Sequence, residues 1–418
     1  MKAIKILLLV LLFSNLSYSQ TWKKIESNTS LRLNDISFGS EQVGYIGADN
    51  ETVLKTIDGG ETWNVIRIDS SLIGFPKDVV DLDFQSATHG YIVMNYSQNP
   101  SYSITEIYFT KDGGNTWKPS SAMMCGVVGC YMQDTANGYF FGSSCFGGFT
   151  IDKVVNRVAQ NSTYLTYSNY FINDMDFNNN NYGIAVGDLG QVFRTTNAGA
   201  KWDTLSTSFS QTINAVQFFN DSVVFVAIDS LNNSIFYSTD SGQIWQPHLN
   251  STTFYYPIIQ SIAVAPDKTV YGVGKSTISS KDPVIIWGSE TGFWNSFVVN
   301  KPNSGFNSVT MSDSVRAFAV GDSGMIYTNK GFSTTISEKQ MSYNLEVFPN
   351  PANGFMYVKS EKMKRIQLYS LDGKMILEQP TNSEFYTRLD CSDLIDGVFL
   401  LKITHSDNTV QFRKILVH

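Results

Sequence analysis

The 418-residue chain combines 42% hydrophobic and 13% aromatic residues with only 16% charged residues. This balance excludes a largely disordered protein and favours short strands joined by tight turns, so we predict an all-β fold. The formal charge is −7, and it becomes −9 without residues 1–19, which hold Lys2 and Lys5 and no acid. Such a charge excludes nucleic acid or an anionic membrane surface as the main partner.

The first element is an export signal at residues 1–19. Lys2 and Lys5 form a basic start, residues 6–13 (ILLLVLLF) form a short apolar core, and Ser17-Tyr18-Ser19 supplies small residues for cleavage. The apolar run is too short for a permanent transmembrane helix, and no later run is long enough. We therefore predict a signal peptide cleaved after Ser19 and no transmembrane segment in the mature chain.

Residues 20–335 contain a repeated pattern. The phrases TIDGGETW, TKDGGNTW, TTNAGAKW and STDSGQIW recur, with a weaker GSETGFW, and each follows a pair of apolar strands such as NDISF and GYIGA. Seven copies at about 45 residues each are typical of four-stranded propeller blades. We predict a seven-bladed β-propeller that is closed by residues 21–25 as the outer strand of the last blade.

The tryptophan phrase resembles the Asp-box, or BNR, repeat Ser/Thr-x-Asp-x-Gly-x-Thr-Trp. Its aspartates suit turns in which a carboxylate accepts backbone N–H groups, its glycines suit positive φ, and its tryptophans suit burial between blades. Because the same residues recur around the ring, we assign them to the scaffold rather than to catalysis or metal binding. They are Asp58, Gly60, Trp63, Asp112, Gly114, Trp117, Gly199, Trp202, Asp240, Gly242 and Trp245.

The Asp-box resemblance raises the question of enzymatic activity, because this group includes sialidases and other glycoside hydrolases. A sialidase-like site implies an arginine triad with an Arg-Ile-Pro phrase, which does not occur here. A glycosidase also needs two carboxylates across the sugar. The candidates are Asp81, Asp83, Glu106 and Asp188. We leave the enzyme question open, prefer a non-enzymatic binding or scaffold protein, and keep a secreted glycoside hydrolase with a diverged site as the alternative.

The propeller also resembles the photosystem II stability-factor group, which implies an assembly role and an arginine-rich patch. Arginines are sparse before residue 336, and no such patch is evident. These arginines are Arg32, Arg67, Arg157, Arg194 and Arg316.

A candidate binding face follows from the propeller connections. If strands A to D run outward from the axis, the B–C and D–A connections lie on one face, opposite the Asp-box turns. Longer insertions fall there, at residues 95–106, 161–170, 248–257 and 275–283. Their aromatic and amide side chains suit a glycan or protein surface, although solvated loops with packed aromatics are the alternative. The candidates are Tyr96, Tyr102, Tyr164, Tyr167, Phe254, Tyr255 and Tyr256.

Three cysteines cluster in the third blade, which lacks the Asp-box turn. Cys125 lies in a D–A connection and Cys145 in a B–C connection, so a Cys125–Cys145 disulfide is our first choice in an exported protein. A Cys130–Cys145 pair is the second choice, and three buried thiols are the alternative. With four histidines and neither His-x-x-x-His nor Cys-x-x-Cys, the sequence indicates no metal or cofactor.

Residues 336–343 form a polar linker, and residues 344–418 form a separate small Ig-like β-sandwich. Pro349-Asn350-Pro351, Asp372-Gly373 and Asp396-Gly397 are its turn signals. Its motifs resemble those of the type A C-terminal sorting domain of the type IX secretion system. The motif residues are Pro349, Asn350, Pro351, Gly373, Lys374, Gly397 and Lys414.

The sorting-domain resemblance implies recognition by an outer-membrane translocon and removal by a sortase-like protease. The product is then secreted or attached to the surface of a Gram-negative bacterium after passing through the periplasm. Cys391 departs from the family, because it stands where an apolar residue is usual. The alternative is an accessory Ig-like module such as a carbohydrate binder.

Overall fold

The structure is a computed structural model that confirms the all-β fold. The chain divides into two compact units, within residues 1–332 and 333–418. In the described ranges the elements are strands and two 3₁₀ turns, Asp188–Gly190 and Asp322–Gly324, and no helix could cross a membrane. The structure describes residues 22–68, 77–96, 104–120, 124–143, 149–164, 171–230, 234–248, 257–277, 280–288, 294–329, 345–370, 375–381, 386–392, 394, 397–406 and 410–417.

The described part of the first unit forms seven antiparallel sheets, each of four or five strands, which we number as blades 1 to 7. The closing strand is β1 (Trp22–Ile25), and blade 1 is β2 (Leu33–Phe38), β3 (Gly44–Ala48), β4 (Thr52–Thr56) and β5 (Asn64–Arg67). Blade 2 is β6 (Lys77–Phe84), β7 (Gly90–Tyr96), β8 (Ile104–Thr110), β9 (Lys118–Pro119) and β10 (Met124–Cys125). Blade 3 is β11 (Val127–Met132), β12 (Gly138–Ser143), β13 (Phe149–Val155) and β14 (Val158–Tyr164).

The remaining blades repeat this order along the chain. Blade 4 is β15 (Ile172–Phe177), β16 (Gly183–Gly187), β17 (Val192–Thr195) and β18 (Asp203–Leu205). Blade 5 is β19 (Ile213–Phe218), β20 (Val224–Ile228), β21 (Ile235–Ser238) and β22 (Gln246–Pro247). Blade 6 is β23 (Pro257–Val264), β24 (Val270–Ser276), β25 (Pro283–Gly288) and β26 (Trp294–Val298), and blade 7 is β27 (Phe306–Met311), β28 (Ala317–Gly321) and β29 (Met325–Asn329) with β1.

The blades form a closed ring. The innermost strand of each blade contacts the innermost strands of both neighbours, and β27 of blade 7 contacts β2 of blade 1. The outer strand of blade 7 is β1, which pairs with β29 so that Trp22 faces Asn329 and Ile25 faces Ile326. The predicted closure by the N-terminal strand is therefore confirmed, and it joins the two ends of the propeller in one sheet.

Burial follows the position of each strand within a blade. Strands β3, β16, β20 and β28 are buried along their whole length, because the second strand is covered by a neighbouring blade on both faces. The innermost strands β2 and β15 combine buried apolar residues with partly exposed polar residues. A register shift after the first residue of each strand interrupts the alternation, and the buried residues face the inter-blade core.

Blade 3 replaces the Asp-box turn with a tight hairpin. Val155 pairs with Val158, and the two residues between them, Asn156 and Arg157, have φ of 52° and 69°. A two-residue turn with positive φ at both positions matches the twist of the flanking strands. Strand β14 then runs on to Tyr164, so residues 161–164 are strand rather than the connection we predicted.

The second unit contains two groups of strands around one core, an arrangement compatible with the β-sandwich predicted for the C-terminal module. One sheet contains part of β30 (Glu346–Asn353), β31 (Phe355–Lys359) and β34 (Tyr386–Asp390). The other contains β32 (Met363–Ser370), β33 (Met375–Pro380), β35 (Gly397–His405) and β36 (Val410–Val417). Buried residues of the two sheets, among them Met356, Leu389, Ile366 and Leu401, form one core that includes the Cys391 thiol.

The segment Pro349-Asn350-Pro351 lies within β30 rather than in a turn. Val347 pairs with β31, whereas Ala352 pairs with β36, so the chain passes from one sheet to the other across the two prolines. Proline lacks an N–H and holds φ near −65°, which suits an extended crossing that interrupts a ladder.

Candidate ligand-binding face

The Asp-box turns share one hydrogen-bond arrangement. In blade 1 the Asp58 Oδ1 accepts the Thr62 N–H at 3.0 Å and the Thr56 hydroxyl at 2.7 Å, and the Thr56 Oγ1 accepts the Gly60 N–H at 2.9 Å. The same set recurs around Asp112 and Asp240, and Asn197 takes the acidic position in blade 4. The side-chain oxygens therefore accept hydrogen bonds from the backbone N–H groups of the turn.

The ionisation of these aspartates fits that arrangement. Hydrogen bonds from the Thr116 hydroxyl and N–H lower the pKa of Asp112 to about 2. Burial opposes the ionisation of Asp58, but the bonds from Thr62 and Thr56 outweigh it and lower its pKa. A carboxylate held ionised by its own turn is a poor proton donor.

The Asp-box glycines and tryptophans lie in the same turns. Gly60, Gly114, Gly199 and Gly242 all have positive φ. The Trp63 ring is 1% exposed and packs in one cluster with Ile25 and Ile326 of blade 7. The other rings make edge or tilted contacts with nearby aromatic residues, Trp117 with Phe84, Trp202 with Phe177 and Trp245 with Phe209.

The opposite face, formed by the B–C and D–A connections, is called here the BC/DA face. Of its predicted binding residues, Tyr96 is described with its side chain, and Tyr164 ends strand β14. Tyr102, Tyr167, Phe254, Tyr255 and Tyr256 lie outside the described residues.

Tyr96 belongs to a buried ionic network in blade 2. The Lys77 side chain is fully buried, and its Nζ lies 2.7 Å from Glu106 Oε2. The hydroxyls of Tyr96 and Tyr108 each donate to the Glu106 carboxylate at 2.9 Å. Burial works against ionisation of Glu106, but Lys77 and the two hydroxyls prevail and lower its pKa, while burial and Glu106 raise the pKa of Tyr96.

A cleft of about 450 Å³ opens on the BC/DA face where blades 6, 7 and 1 meet. Its charged residues are Arg32, Lys275, Lys281 and Asp322. Asp322 serves the scaffold, because its Oδ2 accepts the Gly305 N–H at 2.8 Å and its Oδ1 lies 3.4 Å from Arg32 Nε. The exposed side chains of Lys275 and Lys281 pair with no other described residue. The cleft therefore carries three cations against one carboxylate.

The four carboxylates considered for a glycosidase are each engaged in the scaffold. Glu106 is neutralised by Lys77, and Asp188 accepts from Phe171 N–H at 3.2 Å and the Thr212 hydroxyl at 3.2 Å. Asp81 and Asp83 lie on the innermost strand of blade 2, and their Oδ2 atoms accept the N–H groups of Cys130 and Met132 at 2.6 and 2.7 Å. The structure thus uses these groups to join neighbouring elements.

The axis of the propeller contains further carboxylates of the same kind, which sequence reasoning did not single out. Asp174 and Asp176 accept N–H groups of the next innermost strand, from Val216 at 2.8 Å and Phe218 at 2.7 Å. Burial raises the pKa of Asp174 to about 8 and that of Asp176 to about 7. The signal that could have found them is the repeated Asp-x-Asp in strands predicted to be innermost. Among the described residues, no three acidic, histidine or cysteine side chains form a metal-binding group.

The cysteine prediction is resolved in part. Cys130 is a free, buried thiol, so the second-choice pair with Cys145 does not form. Burial and the neighbouring Asp81 raise the pKa of Cys130 well above its usual range. The Cys125 backbone forms β10 beside β8, while its side chain and Cys145 lie outside the described residues.

The sorting motifs meet at the C-terminal strand. The Asn350 carboxamide accepts from the Leu416 N–H at 2.8 Å and donates to the Lys414 carbonyl at 3.2 Å. Gly397 pairs with Val417 at the start of β35. Gly373 and Lys374 lie outside the described residues. The structure thus brings the Pro349-Asn350-Pro351 motif and the Lys414 motif together although they are more than sixty residues apart.

Fold and motifs together define a class of protein, a BNR-like β-propeller that carries a C-terminal sorting module. The chain belongs to the Photosynthesis system II assembly factor YCF48 family, whose pattern matches residues 14–73 and 72–361. Residues 346–418 match the Secretion system C-terminal sorting domain. The predicted resemblances to the stability-factor group and to the sorting domain are therefore confirmed, and the tail indicates secretion to the cell surface by the type IX system.

Two curated relatives are photosystem II assembly lipoproteins named Ycf48. The one from Synechococcus sp. (strain CC9902) is 26% identical over 138 residues, and the one from Prochlorococcus marinus (strain MIT 9313) is 27% identical over 178 residues. These matches cover 31% and 34% of this chain. The chain spans 38% and 52% of the length of these relatives.

Similar solved structures support the fold. YCF48 bound to D1 peptide aligns with a TM-score of 0.58 at 17% identity and covers 75% of this chain and 96% of its own. YCF48 from Cyanidioschyzon merolae gives 0.55 at 16% identity, with 74% and 98% covered. The WD40 propeller domain of Doa1 gives 0.54 at 11% identity, with 75% and 98% covered.

Lys275 and Lys281 are the functional candidates that sequence reasoning missed. The insertion that holds them, residues 275–283, was assigned to the binding face for its length and not for its charge. The other cation, Arg32, is more than two hundred residues away in sequence. Only ring closure places blade 1 beside blade 7, so the charge cluster has no local sequence pattern.

Proposed function

We propose that the protein is a secreted, non-enzymatic propeller that binds an extended acidic polypeptide segment on its BC/DA face. The observation that carries this proposal is the cleft in which Lys275 and Lys281, which pair with no other described residue, lie beside Arg32. In a chain of net charge −7, a local cationic cleft concentrates attraction for carboxylates where the rest of the surface repels them. The solved YCF48 that binds a D1 peptide supports a polypeptide as the class of ligand.

A polypeptide is preferred to a glycan because the described part of the face presents cations and amides. Tyr96 is the predicted binding aromatic whose side chain is described. Its hydroxyl donates to Glu106, and the Lys77 ammonium lies over its ring. A hydrolase is less well supported, since a nucleophilic tyrosine needs a lowered pKa and that of Tyr96 is raised.

The proposed route of export uses both ends of the chain. Residues 1–19 direct the chain to the periplasm, residues 20–335 form the exported propeller, residues 336–343 are the linker, and residues 344–418 present the chain to the outer-membrane translocon and sortase. Deletion of residues 345–418 is expected to trap the protein in the periplasm, and undiminished secretion of the truncated chain would refute this route.

A binding assay tests the proposed ligand. The full chain is titrated with a fluorescent decapeptide of alternating glutamate and serine, and with its glutamine counterpart. We expect Lys275→Glu/Lys281→Glu to weaken binding of the glutamate peptide at least about tenfold. The matched control is Lys111→Glu/Lys118→Glu, a pair of exposed lysines in and after the blade 2 Asp-box turn.

The same assay contains the outcomes that reject the proposal. If the parent chain binds both peptides equally, the proposed charge attraction is rejected. If the cleft variant binds the glutamate peptide as tightly as its control does, the cleft is not the binding site. A glycan that binds instead and is lost with Lys275→Glu/Lys281→Glu would assign the cleft to carbohydrate. Turnover of a fluorogenic glycoside that is abolished by Glu106→Gln would favour the hydrolase.

A further inference from the structure

The C-terminal strand β36 of the sorting module lies between β35 and β30 in the sheet, but in the described part of the module β30 meets it only at its C-terminal end, which leaves an open edge along the rest of the strand. Strand β36 pairs with β35 along its whole length, from Gly397 opposite Val417 to Thr404 opposite Val410. On its other side, Val417 alone has a strand partner in the described part of the module, Ala352 of β30. Backbone groups along such an edge are a template for an added strand.

Asn350 covers part of this edge with its side chain. Its carboxamide accepts from the Leu416 N–H and donates to the Lys414 carbonyl, at 2.8 and 3.2 Å. These are the bonds that a backbone residue of a neighbouring strand would make with residues i+2 and i. Because Pro349 and Pro351 supply no N–H, this segment meets β36 through the Asn350 side chain rather than through a ladder.

Cations flank the edge on both faces of the sheet. Arg413 and Lys414 are exposed, and successive strand residues point to opposite faces. Neither pairs with a carboxylate among the described residues. Lys402 on β35 shares the face of Lys414, since Leu400 lies opposite Lys414 in the register. An added strand would therefore meet positive charge above and below its backbone.

We propose that the outer edge of β36 docks an extended acidic strand of the export machinery by β-augmentation, and that Asn350 sets where the added strand ends. The inference rests on the sorting function of the module. Backbone pairing supplies affinity in this mode of recognition and the flanking side chains supply specificity. A second copy of the chain is disfavoured, because edge-to-edge pairing would place Arg413 and Lys414 of both copies together.

Secretion of the full-length chain by a bacterium with a type IX system tests the inference, with the protein measured in medium and in cells. We expect Lys414→Glu and Asn350→Ala each to lower the secreted fraction at least about fivefold. Lys364→Glu, an exposed lysine on β32 of the same sheet, and Asn353→Ala, an exposed asparagine of β30, are the matched controls. Thermal unfolding of the purified chains checks that the module folds.

Each outcome decides the inference. Loss of secretion with Lys414→Glu but not with Lys364→Glu supports it, and this holds even if Asn350→Ala unfolds the module. If the Lys414→Glu chain is secreted normally and the chain without residues 345–418 is not, docking at the edge of β36 is refuted and the sorting function of the module stands. Normal secretion of the deleted chain would overturn both. A dimer of the purified chain that Lys414→Glu alters would assign the edge to a second copy and overturn the inference.

Discussion

At the scale of single residues, Lys77 is a fully buried cation of the candidate face. It is fully buried at the start of the innermost strand of blade 2, and its charge is balanced by Glu106, with Glu51 at 3.9 Å. A buried ion pair of this kind gains little over an apolar pair, but removal of one partner leaves an uncompensated charge in a low dielectric. The network therefore fixes the position of Tyr96 rather than adding much stability.

Substitution of Lys77 tests this balance. We expect Lys77→Met to lower the free energy of unfolding by about 3–5 kcal/mol, because Glu106 stays buried without its partner. The exposed Lys118→Met on β9 is the matched control and should change little. Denaturant titration followed by circular dichroism measures both. If the double variant Lys77→Met/Glu106→Leu does not regain most of the loss, the cost lies in packing and not in charge.

At the scale of elements, the innermost strands are joined by side chains as well as by packing. Carboxylates of one strand accept N–H groups of the next, as Asp81 does from Cys130 and Asp174 does from Val216. Burial and the nearby Asp35 raise the pKa of Asp81, and burial and the nearby Asp176 raise that of Asp174. The folded state therefore holds protons that the unfolded chain, with carboxyl pKa values of about 4, releases.

The sign of this linkage sets the pH dependence of stability. The contribution of Asp174 and Asp176 is complete below about pH 4 and is lost as the pH rises through their folded values of about 8 and about 7. We expect the free energy of unfolding to be higher at pH 5 than at pH 8, and Asp174→Asn/Asp176→Asn to lose much of that difference. Asp221→Asn, at an exposed turn, should keep it. Urea titrations at both pH values measure the free energy of unfolding. If its difference between pH 5 and pH 8 is the same in the double variant as in the parent chain, the linkage is contradicted.

At the scale of the whole molecule, the ring depends on a short strand at its N-terminal end. Trp22 of β1 is 6% exposed and contacts Tyr271 and Trp287 of blade 6 at ring distances of 6.0 and 6.2 Å. The strand thus completes the sheet of blade 7 and covers the core between blades 6 and 7. Closure pairs the outer side of β29 and leaves β1 as the short outer strand of blade 7.

Loss of the Trp22 ring should release β1 from its pairing with β29. We expect Trp22→Ala to cost about 3–5 kcal/mol of unfolding free energy and to expose the edge of β29. Lys23→Ala, whose side chain is exposed on the same strand, is the control and should stay near the parent value. Circular dichroism with denaturant measures stability, and light scattering measures association through the open edge. A Trp22→Ala chain as stable as the control would show that the Trp22 ring does not hold β1 in place.

Much of the fold was predictable because its causes are local and repeated. The Asp-box turns are built from residues within a single phrase, as in the bonds among Thr56, Asp58 and Thr62. Each copy of the phrase therefore predicts the geometry of its own turn. Ring closure was predictable because Trp22-Lys23-Lys24-Ile25 repeats the pattern of an outer strand. The extension of β14 to Tyr164 was not, since it follows from the hairpin at Asn156 and Arg157, which replaces the repeated turn.

The sequence by itself determined the class of fold, the repeat and the sorting module, since alternation, turn residues and spacing act over a few neighbours along the chain. Tertiary structure alone decided which charges meet. It placed Arg32 beside Lys275 and Lys281, Lys77 against Glu106, and Asn350 against the backbone of Leu416. The physical reason is that electrostatic and hydrogen-bond contacts depend on distance in space, and closure of a ring or sandwich joins residues that no sequence period relates.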